Sequence, residues 1–200
     1  MELELKRPWS GSVDLAVAVE QIRIQTHRRV EFVDLTDAVA RPVAARGIRW
    51  GLVHVQSRHT TTGIVLNENE PGLIEDLQRS LELWAPRGAG YRHDDLAARP
   101  GVPPDERPNG DAHARAVLLG STLCLGVVAG ELQLGRWQRL FLVELDGPRQ
   151  RRVALHMLGC AGEPAWPRHA PAGGGVRGAS HASAPAPAGA SAAAARDRGW

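Results

Sequence analysis

Apolar and polar residues alternate along several short stretches of the chain, with the period of two that is typical of β-strands. The stretch Leu15 to Thr26 alternates with one break after Val19, which predicts a strand with a bulge. A second extended run, Val30 to Leu35, follows the short connection His27-Arg28-Arg29, so the two strands are predicted to form a hairpin. The remaining predicted strands are Trp50 to Gln56, Gly63 to Asn67, Thr122 to Val128, Leu140 to Leu145 and Arg151 to Leu158.

Helical spacing of apolar residues appears in three segments, each with recognisable start or stop signals. Asp34 or Thr36 is a suitable N-cap for the first segment, Pro71 is a favoured first residue for the second, and Gly120 ends the third. The predicted helices run from Thr36 to about Arg46, from Pro71 to about Pro86, and from Asn109 to Leu119. Strands in mostly hairpin order with about three helices predict an α+β fold with antiparallel β-sheets.

Two segments carry neither pattern. Pro86 to Pro108 is rich in proline, glycine and charge, and loops of this length inside compact domains tend to be functional or flexible. From residue 161 to 200, alanine, glycine and proline supply 26 of 40 residues, so the segment has few side chains to bury and is predicted to be disordered. The predicted organisation is therefore a domain over residues 1–159 and a disordered tail over 160–200.

Charge and composition narrow the class of partner. The chain carries a formal net charge of +2, but the tail contributes four arginines against two acidic residues, so the first 160 residues are balanced. A neutral domain is a poor partner for nucleic acid, whose binding depends on neutralising phosphates. No window reaches the roughly 18 apolar residues of a membrane span. With only two cysteines, a cytoplasmic location without disulfides is expected.

Polar side chains that a fold alone does not need are concentrated in three blocks. These are His59-Thr60-Thr61-Thr62-Gly63 with the following Asn67-Glu68-Asn69-Glu70, Tyr91-Arg92-His93-Asp94-Asp95, and Asn109-Gly110-Asp111-Ala112-His113. Three imidazoles with nearby carboxylates can form an open metal site of the catalytic type. The spacing alone leaves the alternative of scattered surface or hydrogen-bonded histidines open. The positive end of the helix dipole also explains Glu70 fully and Glu68 in part.

Three further features receive simpler interpretations. The Trp-Gln pair in Gly135-Arg136-Trp137-Gln138 can stack on a flat ring, although a lone tryptophan more often belongs to the core. Cys124 lies on an apolar strand and is predicted to be a buried, inert thiol. The basic run Arg149-Gln150-Arg151-Arg152 is predicted to be a solvated turn.

The motifs, taken in order, resemble a known family. HTTTGIVLNENEPG, YRHDD, PPDERPNGDAHARAVLLGSTL and GELQLGRWQRLFLVELDGPRQRRV are similar to blocks of the secondary thiamine-phosphate synthase, or YjbQ-like, family. The resemblance covers about Ser10 to Leu158. It departs from the family at Gly135-Arg136-Trp137-Gln138, where the usual Gly-Thr-Trp-Gln carries a threonine in place of Arg136, so this chain lacks that hydroxyl.

The resemblance implies a YjbQ-like fold, a homotrimer and a divalent metal ion, with zinc or magnesium as candidates. The residues that it implies are His59, His93 and His113 as metal ligands, Glu68, Asp94 and His113 as catalytic groups, and Asn67, Asn109, Trp137 and Gln138 as substrate contacts.

The same resemblance implies a metal-dependent enzyme acting on phosphorylated small molecules. The named activity is thiamine-phosphate synthesis, which joins hydroxymethylpyrimidine diphosphate to a thiazole phosphate and releases diphosphate. The alternatives are a non-catalytic, metal-stabilised trimer that binds a small ligand, and a hydrolase that uses a metal-bound water.

Overall fold

The computed structural model describes residues 14–161, which form eight strands and three α-helices. The predicted tail lies outside the described residues apart from its first two positions. No helix in the described range is long and apolar enough to cross a membrane. The elements are β1 Ala16–Gln25, β2 Glu31–Asp34, α1 Thr36–Ala45, β3 Trp50–Ser57, β4 Thr62–Asn67, α2 Pro71–Trp84, α3 Gly110–Leu119, β5 Thr122–Val128, β6 Glu131–Leu132, β7 Arg139–Glu144 and β8 Gln150–Cys160.

The strands form two antiparallel sheets. The larger sheet has five strands in the order β1-β8-β3-β5-β6, and the smaller has three in the order β2-β7-β4. Alternate residues of both sheets share one apolar core with α1, and a second cluster packs α2 and α3 against the smaller sheet. The α+β class with antiparallel sheets and three helices, predicted from the sequence, is confirmed.

The predicted hairpin between the first two strands is wrong. β1 pairs along its whole length with β8, from Ala16 opposite Gly159 to Gln25 opposite Gln150, whereas β2 pairs with β7 in the other sheet. The short connection therefore carries the chain from one sheet to the other. The predicted bulge after Val19 is also wrong, because the register is unbroken. β1 has apolar residues on both of its faces, so the alternation of apolar residues changes phase along the sequence as it would at a bulge.

The outer face of the larger sheet carries exposed apolar side chains, and no described helix packs against it. Val17, Leu158 and Leu52 form one exposed row across β1, β8 and β3. Cys124 on β5 points to this same face and is exposed, so the prediction of a buried thiol is wrong. Successive side chains of a strand point to opposite faces, and Leu125 and Val127 take the inward positions of β5, so Cys124 points outward.

The helix ends follow the local signals. Gly47, with φ of +65°, follows the end of α1, and Gly120, with φ of +77°, follows the end of α3. Left-handed backbone favours glycine at both positions. The Glu70 carboxylate accepts hydrogen bonds from the Gly72 and Leu73 amides at 2.8 and 2.6 Å, and these bonds lower its pKa. Glu70 is therefore the N-cap of α2.

A buried ion pair joins the two sheets. The Glu144 side chain on β7 is 0% exposed and receives Arg151 of β8 at 2.6 Å (Nε to Oε2) and 2.5 Å (Nη2 to Oε1). The Thr26 hydroxyl donates to the same carboxylate at 2.9 Å. The prediction that the run 149–152 is a solvated turn is therefore wrong for Arg151, which shares the inward phase of β8 with Val153.

Candidate functional site

Three separate segments bring the predicted histidines to one cavity of about 380 Å³. His59 lies in the turn between β3 and β4, His93 in a short 3₁₀ turn over residues 92–94, and His113 on the first turns of α3. We name this space the histidine cavity. Its other polar walls come from Arg58, Thr60, Thr61, Arg99, Glu106, Asn109, Asp146, Arg149 and Arg151.

His93 and His113 form a close pair within the histidine cavity. Their ring centroids are 4.5 Å apart and the rings are inclined by 64°. Among residues 14–161, no hydrogen bond is formed by a ring nitrogen of either histidine. Burial and the neighbouring His93 lower the pKa of His113, while Asp146 and Glu106 act in the opposite direction. The His113 ring is therefore a neutral base near pH 7.

His59 is engaged differently. Its Nε2 accepts a hydrogen bond from the backbone amide of Arg152 at 2.8 Å, which fixes the ring against β8. Burial, and next the charge of Arg151, lower its pKa. Within the described part of the chain, no three histidine, cysteine or acidic side chains form a group that could hold a metal ion. His59 thus lines the cavity without joining the His93–His113 pair.

Asp94 connects the two members of the pair. Its Oδ1 accepts hydrogen bonds from the amides of Asn109 and Gly110 at 2.9 and 2.8 Å, so it satisfies free donors at the start of α3. Gly110 is needed here, because a Cβ at this position would overlap the Tyr91 side chain. Asp94 is absent from the cavity lining, and the catalytic role predicted for it stays a prediction.

Asp146 is a site residue that the sequence reasoning missed. It is buried, and its carboxylate receives Arg107 at 3.1 Å, Arg149 at 3.0 Å and the Asn109 amide nitrogen at 3.1 Å. Arg29 adds a fourth contact at 3.2 Å. These bonds hold the β7–β8 connection against the start of α3. The buried Oδ1 of Asn109 finds no hydrogen-bond partner among the described residues.

The other predicted site residues lie elsewhere. β4 leads away from the His59 turn, and Asn67 ends it about 16 Å further along, at 3.3 Å per residue. Glu68 follows directly, donating its amide to the Asn67 side chain at 2.9 Å. The structure therefore does not bring these two residues to the histidine cavity within one chain, and their roles stay predictions.

Trp137 and Gln138 come directly before β7, whose first residue, Arg139, pairs with Asn67. Trp137 is exposed, and the Arg136 guanidinium carbon stands 4.8 Å from its ring centroid. The Gln138 side chain accepts a hydrogen bond from the Gly135 amide at 2.7 Å. These contacts are formed within residues 135–138. The substrate contacts predicted for Trp137 and Gln138 stay predictions.

Comparison with known proteins gives the family. Residues 20–160 match the model of the family described as UPF0047 protein YjbQ-like. This chain belongs to the YjbQ-like family. A UPF0047 protein of Archaeoglobus fulgidus is 44% identical to this YjbQ-like chain over 138 residues, covering 69% of this chain and 99% of the relative. The Bacillus subtilis protein YugU is 30% identical over 142 residues, covering 70% and 99%.

Solved structures agree with the YjbQ-like assignment. A protein from Sulfolobus solfataricus P2, described as YbjQ-like and of unknown function, superposes with a TM-score of 0.66 at 34% identity, covering 73% of this chain and 99% of that one. A Clostridium acetobutylicum protein of the yjbq/upf0047 family gives 0.61 at 30% identity, covering 69% and 98%.

These comparisons correct the functional prediction. The relatives are named UPF0047 proteins and the Sulfolobus protein is described as one of unknown function, so YjbQ-like membership supplies no activity to this chain. The prediction of a metal-dependent thiamine-phosphate synthase acting on phosphorylated small molecules is therefore wrong. What the chemistry of the site supports has to come from its own residues.

Proposed function

We propose that the histidine cavity binds a divalent transition-metal ion, with the imidazoles of His93 and His113 as its protein ligands. One observation carries this proposal: two adjacent rings, 4.5 Å apart between centroids, whose nitrogens make no hydrogen bond within the described residues. Imidazole is a preferred ligand for zinc and its neighbours. Both rings are half-buried and lie side by side, so their free nitrogens are open to an external partner.

Protonation supports the proposal. A metal ligand must be in its neutral form, and the pKa of His113 is lowered by burial and by His93. At neutral pH the proton therefore competes weakly with a metal ion at this ring. Asp94 also keeps the two rings near each other, because it links the turn that carries His93 to the start of the helix that carries His113.

The residues favour zinc over magnesium, the other candidate. Magnesium prefers oxygen ligands, whereas this pair offers nitrogen. Two imidazoles leave coordination positions of a tetrahedral ion for water or a bound ligand. The homotrimer that the family resemblance implies would make a neighbouring copy a further source of ligands. Light scattering of the purified protein measures that oligomeric state.

Zinc titration against a chromophoric chelator tests the proposal. We expect His93→Ala and His113→Ala each to weaken zinc binding at least about tenfold, since even supporting residues of metal sites have effects of that size. His27→Ala is the matched control, because His27 is exposed in the connection between the sheets. Equal zinc affinity in all three variants and the unmodified chain would rule out the His93–His113 site.

A further inference from the structure

A second, larger cavity adjoins the histidine cavity. It measures about 550 Å³ and shares Arg58, His59, Thr60 and His113 with its neighbour. The two spaces are therefore neighbours, and a small molecule bound beside His113 lies next to residues that line both. We name the second space the α3 cavity, after the helix that forms its long wall.

One stripe of α3, together with the glycine after its end, lines the α3 cavity, and its first residue, His113, also lines the histidine cavity. His113, Ala116, Val117 and Gly120 are spaced as neighbours on one face of a helix, and all four line the α3 cavity. The stripe is small and apolar beyond His113. Seven residues of helix at 1.5 Å each give it a length of about 10 Å. Val117 is 83% exposed, so this stripe leaves an aliphatic side chain in water where a ligand can cover it.

The arginines at the His113 end of the stripe indicate that the ligand has an anionic head group. Four arginines line the histidine cavity, against Glu106 and Asp146. Glu144, behind the wall, neutralises Arg151 through their buried ion pair. Arg58 and Arg99 lie in this lining without a carboxylate partner among the described residues, so the cavity suits an anionic head group.

We propose that the two cavities together bind an amphipathic monocarboxylate. Its carboxylate lies in the histidine cavity beside His113 and Arg58, and its apolar chain lies along α3 over Ala116 and Val117 toward Gly120. The proposal rests on the function proposed above, because the carboxylate takes coordination positions that the protein leaves open on the metal ion. An extended chain of about eight carbons, at roughly 1.25 Å per carbon, is about as long as the 10 Å stripe of seven helical residues.

Calorimetric titration of the zinc-loaded full chain with acetate, butanoate, hexanoate and octanoate tests this proposal. Each buried methylene contributes about 0.8 kcal/mol, so we expect binding to tighten up to about fourfold per added methylene. Val117→Asp should remove this dependence on chain length. Leu118→Asp is the matched control, because Leu118 is the next residue of α3, is 61% exposed and does not line the cavity.

The outcomes separate the two proposals. A protein that binds zinc but binds all four carboxylates equally contradicts the amphipathic ligand alone. An equal gain with chain length in the Val117→Asp variant also contradicts it, because the chain then lies somewhere other than along α3. A protein that binds no zinc contradicts both proposals. Both substituted positions are exposed, so each variant is expected to fold, and circular dichroism checks that it does.

Discussion

Replacing Asp94 with alanine tests how the His93–His113 pair is held. The carboxylate accepts two backbone amides at the start of α3, at 2.9 and 2.8 Å. Loss of a helix-capping side chain costs about 0.5–2 kcal/mol, and bonds to a charged acceptor lie at the upper end. We therefore expect a loss of about 2 kcal/mol in the free energy of unfolding. For a domain near 150 residues, that corresponds to a melting temperature lower by about 4–8 °C.

The same substitution should loosen the proposed metal site, because the turn carrying His93 loses its tie to α3. We expect zinc affinity to fall about tenfold, as for other residues that orient metal ligands. Asp94→Asn keeps an acceptor oxygen and should recover most of both losses. Asp95→Ala is the matched control, because its carboxylate accepts only one longer bond, from Ala98 at 3.2 Å.

Differential scanning calorimetry and zinc titration of these variants give both quantities. If Asp94→Ala melts within about 1 °C of the unmodified chain, a shift that corresponds to well under 1 kcal/mol, the capping argument is refuted. If it melts lower but binds zinc with unchanged affinity, the coupling between the cap and the pair is refuted instead.

Three other predictions concern His113, Arg151 and Gly51. Because the pKa of His113 lies below its ordinary value of 6.5, its NMR titration should have a midpoint below 6.5, and its contribution to stability, present above pH 6.5, should be lost as the pH falls through that midpoint. Arg151→Met leaves Glu144 buried and unpaired, so calorimetry should show a loss of about 3–5 kcal/mol, against about 0.5 kcal/mol or less for the exposed neighbour in Arg152→Met. Gly51→Ala places a Cβ against a carbonyl oxygen of β8, and circular dichroism should show a destabilised or unfolded chain.

The helices could be predicted from the sequence because their signals are local. Pro71 begins α2 at the predicted residue, and Gly47 and Gly120 follow the ends of α1 and α3. Strand pairing could not be predicted, because the partner of β1 lies more than a hundred residues away and nothing near β1 specifies it. The short connection after Gln25 looked like a hairpin turn, yet tertiary packing sends β2 to the other sheet.

Part of the site was also within reach of the sequence. The family resemblance, and not the spacing, identified His59, His93 and His113, which share one cavity. Arg151 was missed, although it lies two residues before Val153 and four before Leu155. Extending the alternation of these buried residues toward the start of β8 predicts that Arg151 also points inward. Asp146 carried no such signal, because its importance comes from arginines that reach it from distant segments.

The position of β8 in the larger sheet has a consequence for biosynthesis. β8 is the last strand of the described chain, yet it lies between β1 and β3 and pairs with both. While the ribosome is still making residues 150–160, β1 has no strand to pair with in its own sheet. The apolar residues of β1 therefore stay exposed or only loosely packed until translation has passed Cys160. The newly made segment then inserts between β1 and β3.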